Sequence, residues 1–477
     1  MRHLLWIMAV VLVGFSASAA TNYVVPVGTI GADPIANYTN WAHAATNIQD
    51  AVNAADVNNT ILVSNGTYIL TNQILVAKVL TIQSYNNGHT DWTNTIINGN
   101  YPTTTNRCFQ FASGGGATLD GFTITNGNSE TGYGGGVYLN GVVGTIIKNC
   151  RITGNQASRG GGIINFFAVN CIVSNCSIIG NIASNATLAF GGGVHLLNGG
   201  EVKNCVIQDN KALPLTVAQN GGGVYVGTTS YGRGILRDSV ISGNSAYFGA
   251  GVMMETDRDN GGGVFMDALV TNCVIINNRG ARGGGVFASG YPGPGSEVVR
   301  DCTISNNYAS ESGGGIELLT SAKVLVQNCL IVSNRPCGVY NGAGQTSMVE
   351  NCTIVSNIPY GVTNKASQIC MLANAIVYFN GTDGINNWSG GGTYYWTNSC
   401  TFPEGANWVS GTTNDPLFVD RGGNWRLSSG SPCIDRGTNL DWTLSAVDLD
   451  RKVRIRYGIV DMGAYEHIRV GTIISVY

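Results

Sequence analysis

Four of five consecutive residues are charged in one central stretch, namely Glu255, Asp257, Arg258 and Asp259, and Arg233 lies upstream of them. Clustered carboxylates suit Ca²⁺, and an adjacent basic group can take up a proton from an acidic sugar. These five residues are our candidate catalytic residues for a polysaccharide lyase or hydrolase, and Asp257 and Asp259 are also candidate calcium ligands. A solvated surface loop explains the same cluster and is the interpretation we favour.

A second set of charged side chains recurs at one position of a repeat. Lys148, Lys203, Arg237 and Arg300 each stand immediately before an Asn-Cys, Asp-Ser or Asp-Cys pair. If the repeats stack, these four side chains fall in one outward column, which could bind along an anionic glycan. Ordinary solvation of a sheet face explains the column equally well, and we favour that explanation.

A third set lies near the end of the chain. Asp448, Asp450, Arg454, Asp461 and Glu466 suit either a metal site or a charge-paired structural cap. We expect the cap, because a repeat fold must be closed where it ends. Asp448, Asp450 and Asp461 remain candidate metal ligands, and calcium is the one cofactor considered for the chain.

Composition narrows the choice of activity. The chain has 477 residues, of which 67 are glycine and only 11% are charged, and its net charge is −3. This weak acidic balance excludes a general nucleic-acid binder, and 44% apolar residues exclude a disordered chain. No zinc-ligand spacing, nucleophile elbow or phosphate loop occurs. His195, which follows a glycine run, is interpreted as a structural strand residue.

Two recurring patterns define the elements that must position these side chains. One is a run of three glycines followed by Val or Ile, which begins at residues 134, 160, 191, 221, 261, 283 and 313. The other is Asn-Cys-x-Ile-x-x-Asn, which occurs at 149–155, 204–210, 272–278, 328–334 and 351–357. The short β-branched runs between them show no helical period, so they predict the stacked coils of a right-handed parallel β-helix.

The register of the repeat predicts a bend within each coil. Val299, Cys302 and Ile304 all appear in core-facing slots, yet the first two are three residues apart, which strict alternation forbids. A left-handed corner at Asp301, which is Asn in most copies, resolves the conflict. Stacked Asn side chains can then hydrogen-bond along the helix.

Thirteen cysteines would normally suggest a disulfide framework in an exported chain. Seven of them occupy one slot of the repeat, where we expect a reduced interior stack: Cys150, Cys176, Cys205, Cys273, Cys302, Cys329 and Cys352. Stacked coils hold neighbouring Cβ vectors parallel, which suits a disulfide poorly. The sequence does not pair the other six.

The predicted organisation has four parts. Residues 1–20 resemble a signal peptide, with Arg2 and His3 before an apolar run and cleavage near Ala19 or Ala20. Residues 21–60 form an N-terminal cap with a short amphipathic helix over 41–55, capped by Asn40. Residues 61–413 form a β-helix of about a dozen coils, each rising roughly 4.8 Å. Residues 414–477 form a charged closing segment. No stretch predicts an integral membrane segment.

The closing segment resembles a known family ending. Residues 431–437 (SPCIDRG), 448–450 (DLD) and 460–466 (VDMGAYE) are similar to the ending of choice-of-anchor Q proteins. The glycine and Asn-Cys repeats resemble those of polymorphic outer membrane proteins. The resemblance implies an exported bacterial β-helix of the pectate-lyase-like type and implies no particular chemistry. Arg451 departs from the family pattern, which usually has Gly there, and no recognisable sorting tag follows Glu466, so surface attachment and plain secretion are both open.

We therefore expect a secreted or cell-surface β-helix protein that binds polysaccharide or cell-surface glycan, or mediates adhesion. The alternative is a polysaccharide lyase or glycoside hydrolase acting on acidic polysaccharide, and a purely structural stalk is a third possibility. A carboxylate and a basic group gathered in one groove would favour the enzyme. The oligomeric state and the ligand are open.

Overall fold

A computed structural model describes residues 19–29, 33–85, 92–112, 115–197, 199–215, 219–228, 232–256, 268–290, 296–319, 323–342 and 346–469. Most of the chain winds into a solenoid, whose strands pair in parallel with the equivalent strands of the neighbouring coils. Each central coil has four faces, visited in the order A, B, D, C, and the predicted all-β, parallel β-helix is confirmed.

Sheets A and B each contain fourteen strands. Sheet A comprises Thr21–Val24, Thr60–Val63, Thr81–Ser84, Thr118–Asp120, Ile146–Lys148, Ile172–Ser174, Gly200–Lys203, Gly234–Arg237, Ala268–Thr271, Ser296–Arg300, Lys323–Gln327, Ser347–Glu350, Ile369–Ala373 and Thr393–Thr397. Sheet B comprises Gly66–Ile69, Thr95–Asn98, Thr123–Thr125, Arg151–Thr153, Ser177–Ile179, Val206–Gln208, Val240–Ser242, Val274–Ile276, Thr303–Ser305, Leu330–Val332, Thr353–Val355, Ile376–Tyr378, Ser399–Thr401 and Gly411–Thr412.

Sheet C has twelve strands, which agrees with the predicted dozen coils, and sheet D adds a fourth face to the central seven. Sheet C comprises Ile74–Val76, Phe109–Ala112, Val137–Asn140, Ile163–Phe166, Val194–Leu197, Val224–Thr228, Val252–Thr256, Val286–Gly290, Ile316–Leu318, Cys337–Asn341, Tyr360–Asn364 and Trp388–Ser389. Sheet D comprises Asn128–Tyr133, Gln156–Arg159, Ile182–Ser184, Lys211–Leu213, Ser245–Phe248, Arg279–Arg282 and Tyr308–Ser312.

The corner between sheets A and B has the predicted left-handed backbone. Asp301 has φ of +55°, and Asn149, Asn272 and Asn351 lie between +49° and +52°. The bend turns the following cysteine inward, so all seven cysteines of the repeat stack in the core as predicted. All thirteen cysteines are free and buried.

A second asparagine column runs through the interior where sheet B ends. Its members are almost fully buried and hydrogen-bond head to tail, each Nδ2 before that of Asn387 donating to the Oδ1 of the next member: Asn155, Asn181, Asn210, Asn244, Asn278, Asn307, Asn334, Asn357, Asn380 and Asn387. We call this column the asparagine ladder. Because buried amides are costly unless paired, it fixes the alignment of the coils.

The N-terminal cap differs from the predicted single helix. A 3₁₀ turn at Trp41–His43 is capped by Asn40, and a separate α-helix follows at Ile48–Ala54. The break arises because Ala45 pairs with Val24 of sheet A, which requires extended backbone. Ile48, Ala51 and Val52 of the α-helix are buried in the main core. The other 3₁₀ turns are Trp92–Asn94 and Asp441–Leu444.

The C-terminal segment lies along the side of the last coils. It contains an antiparallel hairpin of Phe418–Asp420 and Asn424–Leu427, and its apolar residues pack on the outer face of sheet B. Trp408 packs on Trp396 at the end of the core, with ring centroids 6.1 Å apart. None of the helices in the described residues is long and apolar enough to cross a membrane. The predicted signal peptide lies almost entirely outside these residues.

Candidate functional site

The glycine runs form the turn between sheets D and C. The first glycine of a run has a left-handed backbone, with φ of +64° at Gly191, and a Cβ there would lie 2.4 Å from the Val194 carbonyl oxygen. At the second glycine, Gly192, a Cβ would lie 2.4 Å from the carbonyl oxygen of Gly222 in the next coil. Three glycines therefore let the chain fold back sharply against its neighbour.

This fold-back places two columns of outward side chains against each other. The D column is the residue before each turn: Tyr133, Arg159, Phe190, Asn220, Phe248, Arg282 and Ser312. The C column is the fourth residue after the first glycine: Tyr138, Ile164, His195, Tyr225, Met253, Phe287 and Glu317. The C column is buried, whereas every D-column residue is half-buried. We call the D column the aromatic–arginine strip.

Ring and guanidinium contacts hold the strip together. The Arg159 guanidinium carbon lies 5.7 Å from the Tyr133 ring centroid and 4.8 Å from that of Phe190. Further along, the Phe248 and Phe287 centroids are 4.9 Å apart. Such contacts stabilise by about 0.5–1.5 kcal/mol each and preset the rings in one orientation.

The two arginines of the strip, Arg159 and Arg282, differ in the groups that contact their guanidinium. Arg282 forms an ion pair with the fully buried Glu317. Within the described part of the chain, no carboxylate forms an ion pair with Arg159, whose neighbours are aromatic rings.

A polar cluster in the C column packs against Phe190. The Tyr225 hydroxyl donates a hydrogen bond of 2.6 Å to Glu255, and the Tyr225 and His195 ring centroids are 4.6 Å apart. His195 is 1% exposed, and burial together with Arg159 lowers its pKa to about 3, so its ring is neutral at neutral pH. The interpretation of His195 as a strand residue is confirmed.

Of the five candidate catalytic residues, the structure describes Glu255 and Arg233. Asp257, Arg258 and Asp259 lie outside the described residues, and Glu255 lies at the end of its sheet C strand against Tyr225. Arg233 lines a separate depression of about 440 Å³, together with Glu201. The catalytic and calcium roles proposed for this cluster stay predictions.

The strand register confirms that Lys148, Lys203, Arg237 and Arg300 belong to one column on sheet A. Each has a partner: Lys148 pairs with Asp120 at 3.2 Å and Lys203 with Glu201 at 3.1 Å, while Arg237 also contacts Glu201.

Arg300 donates to Gln327 and lies 5.4 Å from the Trp442 ring centroid. The column is therefore largely neutralised by neighbouring acidic and polar groups, which weakens the field it would offer to a glycan.

The charged residues near the C terminus form a buried network. Arg454 is fully buried and its Nη1 donates to Glu466 at 2.8 Å. Asp448 accepts from the backbone N–H of Lys452 and of Glu466, and Asp461 accepts from two backbone N–H groups. Asp450 accepts from the Arg426 guanidinium at 2.6 Å.

In the part of the chain that the structure describes, no group of three or more His, Cys, Asp or Glu residues is placed to hold a metal ion. Arg454 also donates to Asn328 and to the Asn351 carbonyl, so the network anchors the segment to the coils.

Glu297 is a buried carboxyl near Glu255 that no sequence pattern indicates. It faces the core of sheet A, is 0% exposed, and accepts a hydrogen bond from the Thr256 N–H at 3.2 Å. Burial is the main cause that raises its pKa to about 8, and the charge of Glu255 adds to it. Glu297 is therefore protonated at neutral pH when the protein is folded.

We predict that Glu297→Gln removes a pH dependence of stability. In the unfolded chain Glu297 ionises near pH 4.5, whereas in the folded chain it keeps its proton to about pH 8, so stability falls as pH rises between these values. At about 1.4 kcal/mol per pKa unit, several kcal/mol are lost across this window.

The measurement is the thermal midpoint of both proteins at pH 5, 6.5 and 8. The gap in favour of the glutamine variant should widen with pH. Parallel profiles would contradict this assignment.

The aromatic–arginine strip was not predicted from the sequence, although a sequence pattern indicates it. The residue before each glycine run is aromatic, Arg or polar in every described coil. The glycine run at 261–263 lies outside the described residues, and Gly249-Ala250-Gly251 forms the turn between sheets D and C in that coil.

These coils, corners and ladders define a parallel β-helix solenoid. A family model described as the right-handed β-helix region matches residues 80–261 and 249–402. The chain belongs to this right-handed β-helix family.

Two solved structures illustrate the likeness. The A-module of the mannuronan C-5 epimerase AlgE4 of Azotobacter vinelandii is 13% identical, covers 74% of this chain and 91% of its own, and has a TM-score of 0.38. The catalytic unit of a GH87 α-1,3-glucanase of Streptomyces thermodiastaticus is 14% identical in sequence. The match covers 83% of this chain and 70% of the glucanase chain, with a TM-score of 0.37. No curated protein sequence matches the chain.

Proposed function

We propose that this protein is an exported β-helix that binds an extended polysaccharide along the aromatic–arginine strip. The observation that carries the proposal is the guanidinium of Arg159 held between the rings of Tyr133 and Phe190. Aromatic faces stack on the apolar faces of sugar rings, and an unpaired guanidinium binds carboxylate or sulfate groups.

The form of the strip favours a long ligand. Its seven positions follow one another along the solenoid axis, one per coil, at a spacing of about 4.8 Å. A rigid, repetitive surface of this kind presents equivalent contacts to a repetitive chain. Export is proposed on the N-terminal leader pattern of residues 1–20, and adhesion to cell-surface glycan would use the same strip.

We predict that Arg159→Ala and Phe190→Ala each weaken polysaccharide binding about tenfold, because each removes a central contact of the strip. Lys148→Ala is the matched control, since Lys148 lies on sheet A and is already paired with Asp120. Affinity electrophoresis against acidic and neutral polysaccharides measures all three. A loss confined to Lys148→Ala would instead place the ligand on the sheet A column.

The Tyr225–Glu255 hydrogen bond favours a second candidate function, which is acid–base chemistry on the bound polysaccharide. A carboxylate that holds a phenol can exchange a proton with a sugar positioned above it. The same panel would then be followed for unsaturated products and new reducing ends. Product formation that disappears in Tyr225→Phe, with binding retained, would make the protein a lyase or hydrolase.

A further inference from the structure

Sheets A, B and C all begin in the first coils, and the outer edges of sheets A and C are covered. In sheet A, the Tyr23 N–H donates to the Tyr38 carbonyl at 2.8 Å, and the Tyr23 carbonyl accepts from Ala45 at 2.9 Å. In sheet C, the Gln49 side chain accepts from the Leu75 N–H at 2.7 Å and donates to the Leu75 carbonyl at 3.2 Å. These bonds take the place of a neighbouring strand, which protects a sheet edge.

The first strand of sheet B, Gly66–Ile69, has no such cover. The Leu70 N–H donates to the Asn98 carbonyl of the next coil at 2.8 Å. Since backbone groups of successive strand residues point to opposite sides, those of Thr67 and Ile69 point to the outer edge. Within the described ranges, no group hydrogen-bonds to these two N–H groups or these two carbonyls. The edge of sheet B is therefore open.

A groove of about 500 Å³ follows this open edge. Its walls include Val27, which is 84% exposed, and Ile69, which is 63% exposed. The residues that line it are all uncharged. An open edge strand beside exposed apolar side chains is a template for one more strand, whose main chain supplies the hydrogen bonds.

Residues 470–477 (VGTIISVY) have the composition of such an added strand. They carry no charged side chain, and every second residue from Val470 to position 476 is β-branched, which is typical of strands. They follow Arg469, which pairs with Asp435. The residue after Asp435 accepts a hydrogen bond from Asn398, so residues 470–477 begin beside the last coils.

The open edge and these residues are too far apart to meet within one molecule. Gly66–Ile69 lies eleven strand spacings from Ile376–Tyr378 of the last coils, or about 53 Å. Eight extended residues span at most about 27 Å. We propose that residues 470–477 of one molecule add as a strand to Gly66–Ile69 of a second copy, so that the molecules assemble head to tail. This assembly does not depend on glycan binding.

The first test compares the full chain, exported from a bacterial host, with a shortened chain that ends at Arg469. Sedimentation velocity over a wide range of concentration should show a series of oligomers for the full chain and a monomer for the shortened one. A full chain that stays monomeric, or equal oligomers in both proteins, would overturn the proposal. Far-ultraviolet circular dichroism checks that both chains are folded.

The second test locates the contact. A synthetic peptide of residues 470–477, joined to a soluble fluorescent label, should bind the shortened chain saturably. Ile69→Lys should weaken this binding about tenfold, because it places a charge at the open edge without changing a buried residue. Val57→Lys is the matched control, since Val57 is 58% exposed but lies outside the groove.

Equal affinity of the peptide for the two lysine variants, or no binding to the shortened chain, would refute the assigned edge. None of these results bears on glycan binding, which the Arg159 variant tests separately.

Discussion

Gly192→Ala should destabilise the protein by at least about 3 kcal/mol, enough to abolish most soluble expression. A Cβ at this position would lie 2.4 Å from the carbonyl oxygens of both Gly222 and Lys211, which belong to the next coil. These atoms are backbone and carry the inter-coil hydrogen bonds, so neither can move without opening the stack. Urea unfolding, followed by far-ultraviolet circular dichroism, measures the loss.

Gly180→Ala is the control for this experiment. Gly180 also lies in a turn and has φ of +66°, but a Cβ there would meet no atom within 4 Å. Its substitution carries only the cost of a left-handed alanine, about 1–2 kcal/mol. Equal losses at Gly180 and Gly192 would show that backbone conformation, rather than the close approach of coils, determines the need for glycine.

Asn278→Ala should destabilise by about 3–5 kcal/mol, because it breaks the asparagine ladder in its middle. The Asn278 Oδ1 accepts from the N–H and the Nδ2 of Asn244, at 3.0 and 2.9 Å. Its Nδ2 donates to the Ile241 carbonyl and to the Asn307 Oδ1, both at 3.0 Å. Several polar groups would be left buried without partners, each costing about 1–3 kcal/mol.

The neighbouring Asn277 supplies the comparison. It is exposed and has φ of +59°, so Asn277→Gly preserves its backbone conformation and removes a side chain that faces solvent. We expect this change to alter stability by less than about 1 kcal/mol. If unfolding of the two variants occurs at the same denaturant concentration, the buried amides contribute far less than their geometry implies.

The fold could be predicted because the residues that define it recur. Seven coils repeat an inward cysteine after a corner Asn or Asp, and few other residue types suit a left-handed bend that turns the next side chain into the core. The three-residue offset between Val299 and Cys302 even located the corner, which the backbone at Asp301 confirms. The basic column on sheet A followed from the same register.

The aromatic–arginine strip was harder to predict because it depends on how successive coils stack. The sequence shows that Arg159 precedes a glycine run, but it is the pairing of adjacent coils along sheet D that brings Arg159 beside Phe190. The neutralisation of the basic column on sheet A could not be predicted from the sequence either, since Glu201 pairs with Arg237 of the neighbouring coil. Such contacts join residues 30 or more positions apart, and no local pattern encodes them.

The asparagine ladder also determines how the length of this protein can change during evolution. Asn278 and Asn334 each accept from the ladder residue of the coil before and donate to that of the coil after, so they present interchangeable ends. Deleting the coil between them, or duplicating it, would rejoin all four faces with their donors and acceptors matched. A gain or loss of part of a coil would instead leave buried amides without hydrogen-bond partners. The length of the solenoid is therefore expected to differ among its relatives by whole numbers of coils.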